Sequence, residues 1–233
     1  MNGLKFFVGN ILPYIAFVVF LTGMTYRIYT WLKMSSPIIT LYPVPKGSST
    51  SAVIKEVLLF PSLFKTDKVF WGGAWIFHVM LVFIFIGHFR VVTDFPWLWN
   101  LLGMNKEAVD TMSMTSGGIA GLIIMITVIY LIFRRVGVQK VREISGFGDY
   151  IVMFLILAIL LTGNAMRFFQ HFDLSETRVY FAGLVAFTNP QMPANGLFVL
   201  HFFLAQMMIV FIPFSKILHL GGIFFTQTIL KRG

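Results

Sequence analysis

Phe77-His78-Val79-Met80-Leu81-Val82-Phe83-Ile84-Phe85-Ile86-Gly87-His88-Phe89-Arg90 is an apolar run that carries two histidines ten residues apart. A second run, from His201 to His219, carries two more near the other end of the chain. Ionisable side chains inside a lipid-spanning helix are costly, at least about 2.5–3.5 kcal/mol for a charged group at the bilayer centre, and so mark functional positions. Both runs are long enough for their surroundings to be lipid.

Composition supports that setting. The chain has 233 residues, of which 58% are hydrophobic and 12% charged, with a mean hydropathy of +0.84. These values exclude an ordinary soluble domain and fit a single membrane domain over residues 1–233. No cysteine is present, which excludes disulfides, thiolate-held iron–sulfur clusters and c-type haem attachment. The net charge of +9 sits at the ends of apolar runs rather than in a patch interleaved with aromatics, so it reads as a topology signal and not as a nucleic-acid surface. Residues 6–26 are uncharged and no small-residue cleavage pattern follows them, so the first run reads as a retained span.

A helix needs about 20 mostly apolar residues to cross the hydrocarbon. Five segments qualify, at about 8–31, 69–92, 113–133, 149–169 and 197–220, giving an all-α integral membrane protein. Pro13 lies near the start of the first, where a missing amide is tolerated, and Pro213 is expected to kink the fifth. Ser116-Gly117-Gly118-Ile119-Ala120-Gly121 opens the third with small residues, suited to close helix packing or to a flat cofactor. Of the 18 Lys and Arg residues, only Lys5, Arg90, Lys106, Arg167 and Arg178 fall on one side, leaving 13 on the other. The positive-inside rule then places the N-terminus outside and the C-terminus in the cytoplasm, as a multi-pass protein of the cytoplasmic membrane. On the cytoplasmic side, residues 52–64 read as a short interfacial helix, either an anchor or a docking surface for a soluble partner. The outer connections carry Trp97, Trp99 and Tyr180 as an interfacial aromatic belt would. His171, beside Asp173, reads as a solvated loop residue.

Spans two and five run in opposite directions, so His78 and His219 fall toward the cytoplasm and His88 and His201 toward the outside. On straight helices the two pairs rise by about 15 Å and about 27 Å, a mismatch of about 6 Å at each end. One buried histidine is commonly a hydrogen-bonded helix contact. Four paired by depth suggest two haems with bis-histidine ligation, which favours electron transfer. A zinc or copper site would need three or four ligands in one cluster, and no carboxylate lies within these two spans. Arg90 and Arg167 at the outer side, with Lys216 and Arg27 at the inner, are candidates for haem propionates or are snorkelling boundary residues.

The set His78-x9-His88, Gly117-Gly118-x-x-Gly121 and His201-x17-His219, the last ending in Pro213-Phe214-Ser215-Lys216, resembles the dihaem cytochrome b that forms the gamma subunit of respiratory nitrate reductase. Ile11-Leu12-Pro13-Tyr14 is similar too. Within that family the likeness is closer to the DsrM type, from membrane complexes linked to dissimilatory sulfite reduction. It is carried by Glu56-Val57-Leu58-Leu59-Phe60-Pro61, His88-Phe89-Arg90, Asp149-Tyr150, Arg167-Phe168-Phe169 and Lys216-Ile217-Leu218-His219. The resemblance implies two haem b groups, one held by His78 with His219 and one by His88 with His201. It further implies menaquinol oxidation near Gly87 and His88 at the outer face. Electrons would pass to a cytoplasmic iron–sulfur subunit of DsrK type, with further membrane and periplasmic subunits possible in the complex. A lysine of the nitrate reductase quinol site is replaced here by Val109, with Lys106 nearby. The expected function is that of a quinol-oxidising, electron-transferring subunit of a sulfite-linked oxidoreductase. A nitrate-reductase or heterodisulfide-reductase type complex is the alternative within the class. A haem-free membrane anchor and an ion or metal transporter are the alternatives outside it.

Overall fold

The computed structural model describes residues 3–33, 49–170 and 174–219. These residues are helices and connections, with no strand among them. In chain order the helices are α1 (Gly3–Phe6), α2 (Leu12–Lys33), α3 (Ser49–Leu59), α4 (Pro61–Thr66), α5 (Lys68–His88), α6 (Pro96–Leu101), α7 (Lys106–Gly137), α8 (Gln139–Glu143), α9 (Phe147–Phe169), α10 (Leu174–Val185) and α11 (Gly196–Phe211). Five continuous helical segments are long and apolar enough to cross a bilayer: Gly3–Lys33, Lys68–Val91, Lys106–Gly137, Phe147–Phe169 and Gly196–Phe214. The third is longer than its apolar stretch. Lys106, Glu107 and Asp110 belong to its first turns and Arg134 and Arg135 to its last, since charged residues continue a helix beyond the hydrocarbon. The Lys46-Gly47-Ser48 tract, His171, Asp173, Leu220, Lys231 and Arg232 lie outside the described residues.

Short polar side chains start the spans. Asp67 accepts from the Phe70 amide at 2.9 Å to begin α5, Asn105 from Ala108 at 2.8 Å to begin α7, and Asn195 from Leu197 at 2.9 Å to begin α11. Each satisfies an amide that has no intrahelical acceptor.

The spans pack as an arc. α5 lies on α7, α7 on α9, α9 on α11 and α11 on α2, while α5 and α11 do not pack closely on each other. The small residues of α7 serve this arc: Asn164 of α9 donates to the Gly121 carbonyl at 3.0 Å, and Phe168 lies over Gly118. Polar contacts of this kind and close approach hold helices together where lipid gives no hydrophobic drive.

The first span is continuous from Gly3, so Pro13 lies well inside it rather than near its start. A proline there removes an amide and pushes against the carbonyl of the preceding turn. The helix answers with a π-turn at Phe7–Ile11, in which the Leu12 amide reaches back to the Phe7 carbonyl. That leaves the carbonyls of Val8 and Gly9. Gln206 donates to the first at 3.0 Å, and the Tyr180 hydroxyl donates to the second at 2.6 Å. Tyr180 is therefore no belt residue: it is 1% exposed, at the centre of a core formed with Val8, Met166, Leu184, Met192 and Phe198.

The expected interfacial helix is two helices, α3 and α4, fixed to α5 by indole donors. Trp71 donates to the Leu59 carbonyl at 2.8 Å and Trp75 to the Leu58 carbonyl at 3.0 Å. Between them Phe60 has φ 50°, a left-handed conformation that a bulky side chain rarely adopts. At the other end of the fifth span, α11 stops at Phe211, a short helical turn covers Ile212–Phe214, and Ser215 is extended with ψ 169°. His219 is thus not on the helix that carries His201.

Candidate functional site

α5 places His78 at its middle and His88 at its end, while His201 sits in the second turn of α11 and His219 follows the turn Lys216–Leu218. The four rings meet as two pairs. His78 and His219 have ring centres 5.8 Å apart with nearly perpendicular planes, and His88 and His201 have centres 6.4 Å apart with planes 16° from parallel. The mismatch in rise expected of straight helices does not arise, because the chain leaves the α11 axis before His219.

In each ring Nδ1 is already engaged. His78 donates to the Ala74 carbonyl at 2.7 Å, His88 to Ile84 at 2.8 Å and His219 to Lys216 at 2.8 Å. A carbonyl only accepts, so these Nδ1 atoms carry the proton and Nε2 keeps its lone pair. His201 differs. Its Nδ1 lies 3.0 Å from the hydroxyl of Thr162 on α9, and that hydroxyl lies 2.9 Å from the Ala158 carbonyl and 3.0 Å from that of Ile159. The Thr162 proton goes to a carbonyl, leaving its oxygen to accept from His201. Four imidazoles paired ring to ring, with oriented tautomers and Nε2 atoms without a hydrogen-bond partner among the described residues, could serve as the donor set of two bis-imidazole metal sites. Two metal–imidazole bonds of about 2 Å, added to the distance from each nitrogen to its ring centre, span about 6 Å, which fits both pairs. No cluster of three or more His, Asp or Glu that would suit tetrahedral zinc occurs among the described residues.

The surroundings differ at the two ends. Phe60 and Phe77 set their ring edges against His78, with centres 5.2 and 5.1 Å away. Phe60 reaches it through its left-handed backbone. His219 is anchored through Lys216, whose ammonium lies 2.6 Å from Asp149, and Asp149 also pairs with Arg135 at 3.2 Å. Arg27 donates to the Pro213 carbonyl at 2.9 Å. The two inner cations singled out in the sequence are thus engaged with protein groups.

At the other end, Arg90 is 7% exposed in the turn that follows His88. Its Nε lies 2.8 Å from Asp94 and its Nη2 2.8 Å from Asp110, while Arg178 bonds both Asp94, at 3.0 Å, and the Arg90 carbonyl, at 2.8 Å. The Arg90 Nη1 is buried and has no partner among the described residues. A buried guanidinium donor in that condition suits an anionic or carbonyl oxygen of a bound group. Gly87, one residue before His88, faces open space where a Cβ would project. Arg167 is turned elsewhere: it lies over Gly117 and donates to the Ser113 and Met114 carbonyls at 2.8 and 3.2 Å. Val109 is buried at 2% exposure and Lys106 is exposed at the start of α7.

Sequence reading did not single out Thr162, Gly163 or Asp110, and noted Phe60 only as part of the family likeness. Thr162 and Gly163 sit in an apolar run and signal themselves only as a hydroxyl next to the smallest residue. Asp110 was visible as an acid in an outer connection, without a partner to give it meaning.

Residues 61–231 match the nitrate reductase gamma subunit family. The chain belongs to that family. It is 28% identical, over 94% of its length and 78% of the relative's, to the Hdr-like menaquinol oxidoreductase cytochrome b-like subunit of Archaeoglobus fulgidus. The counterpart in Archaeoglobus profundus is 29% identical over 93% of this chain. The respiratory nitrate reductase 1 gamma chain of Escherichia coli is 25% identical over 96% of this chain and 93% of its own length. With its five apolar spans, this gamma-family member is a multi-pass protein of the cytoplasmic membrane. A closer tie to the sulfite-linked branch of the family is not among these likenesses, which fall on menaquinol oxidoreductase and nitrate reductase subunits alike.

Proposed function

We propose that this protein is a dihaem cytochrome b, the quinol-oxidising electron-transfer subunit of a membrane oxidoreductase complex. The observation that carries the reading is the meeting of two histidine pairs ten residues apart along α5, one at its middle and one at its end, each ring held by its Nδ1. His78 with His219 would hold one haem b and His88 with His201 the other. When bound, each haem would supply a one-electron carrier.

The remaining roles belong to the chain's own groups. With the N-terminus outside, as the distribution of Lys and Arg argues, the His88–His201 pair is the outer one. Menaquinol is the proposed substrate there, supported by the names of the archaeal relatives. Gly87 leaves room beside His88, and the free Nη1 of Arg90 orients a quinol oxygen or a haem propionate. Arg167, at the same end of α9, adds positive charge near the outer haem. A quinol gives up two protons with its two electrons, and Asp94 and Asp110 are the acidic groups placed at that end to receive them. The inner pair lies beside α3 and α4, the surface on which a cytoplasmic iron–sulfur subunit, DsrK-like in a sulfite-linked complex, would collect the electrons. A complex of nitrate reductase type would use the same cytochrome with a different partner.

A reduced-minus-oxidised spectrum with haem extraction tests the reading. Two b-type haems per chain are expected, and His201→Ala is expected to remove the outer one alone. Absence of b-type bands would refute the reading, and loss of the inner haem on that substitution would refute the pairing.

A further inference from the structure

Three of the four histidines are held by carbonyls of their own segment, and one is not. His201 is held by a hydroxyl from α9, a helix that contributes no ring to either pair. The next residue, Gly163, makes that contact possible: a Cβ there would lie 3.2 Å from His201 Cε1 and 3.6 Å from Nδ1. We propose that the Thr162-Gly163 dipeptide is the positioning element of His201, fixing its ring orientation and the donor strength of its Nε2. The inference rests on the dihaem reading given above.

The physical reason is the hydrogen-bond chain. The Thr162 hydroxyl donates to the Ala158 or Ile159 carbonyl and accepts from His201 Nδ1, and each bond polarises the next. Drawing the Nδ1 proton toward an acceptor makes Nε2 a better donor, which favours the more highly charged ferric iron over the ferrous. Removing the hydroxyl weakens that preference at one haem only. The inner pair, bonded to the Ala74 and Lys216 carbonyls, is untouched.

The test is a redox titration of both haems in the full-length holoprotein, comparing Thr162→Val, Thr162→Ser and Gly163→Ala with wild type. Thr162→Val is expected to raise the outer haem's midpoint potential by about tenfold in ferric over ferrous preference, or ~59 mV for one electron, without moving the inner haem. Thr162→Ser is expected to restore the wild-type value. Gly163→Ala, which keeps the hydroxyl but pushes the ring from it, is expected to shift the outer haem the same way. An unshifted Thr162→Val, a Thr162→Ser shifted as far as the valine variant, or both haems moving together would overturn the assignment. If the valine variant loses the outer haem, the serine and alanine variants decide: restoration by serine with a shift in alanine supports it, and an unshifted alanine variant overturns it. Wild-type protein without two haems would overturn the dihaem reading before any variant is compared. Two haems in wild type with an unmoved Thr162→Val would overturn this inference alone.

Discussion

The Tyr180 hydroxyl stands 2.6 Å from the Gly9 carbonyl, four residues before Pro13, and replaces the amide donor that proline lacks. A helix flaw in the first span is thus repaired by a side chain from α10. Tyr180→Phe keeps the ring's packing and leaves the carbonyl unpaired, so it is expected to destabilise the protein by about 1–3 kcal/mol. Thermal melting in detergent measures this; a wild-type melt would show that the carbonyl finds another donor. Burial pushes the Tyr180 phenol above its ordinary value, so the bond is expected to survive in mildly alkaline buffer.

Arg90 is buried between Asp94 and Asp110, with Arg178 behind. Arg90→Met leaves Asp94 with Arg178 alone and Asp110, half exposed, without its guanidinium partner, and is expected to cost about 1–3 kcal/mol. Arg90→Lys keeps the charge without the planar fork and is expected to fall between. Denaturation of the three proteins side by side gives the order, and a lysine variant as unstable as the methionine one would show that geometry alone matters.

Asp149 steadies Lys216, whose carbonyl orients His219. On the dihaem reading, Asp149→Asn is expected to weaken retention of the haem proposed for His78 and His219 by roughly tenfold or more while the other stays bound, following the usual effect of losing a ligand's supporting contacts. Haem loss to a soluble acceptor protein, followed by absorbance, separates the two. Equal loss at both sites would contradict the assignment.

Asp67 caps α5, and its hydrogen bonds to the Phe70 amide and to Arg134 hold its carboxyl below the ordinary value of 3.8. A depressed acid contributes stability above its unfolded value and loses it as pH falls through the folded one. The contribution is therefore full near neutrality and disappears only in strong acid. Asp67→Asn is expected to lower stability at neutral pH and to flatten its decline in acid, as melts over that range would show.

Much of this was legible in the sequence, for identifiable reasons. Apolar length fixed the five spans, because hydrocarbon permits little else than helices, and opposite directions for spans two and five predicted which histidines meet. What sequence could not show depends on contacts between distant segments. Pro13 looked harmless because the helix start lay further upstream than hydropathy indicated, and its compensation by Gln206 and Tyr180 is a tertiary event. Tyr180 looked like a surface aromatic because α10 is polar enough to be a loop. The break at Ser215, which dissolves the apparent mismatch between the histidine spacings, required knowing that the chain turns after Pro213. Thr162 reads as one more small residue in a span until His201 is set beside it.

The arc of spans has one further consequence, for the order of assembly. α5 and α11 bear three of the four rings, with His219 on the segment that follows α11, yet the two helices have no close packing with each other; each is held by its other neighbours, α7 on one side and α9 and α2 on the other. All five helices can therefore be inserted and docked before any prosthetic group arrives. On the dihaem reading proposed above, the groups would enter sideways, between two walls already standing, and would act as the last fasteners that close the arc into a bundle.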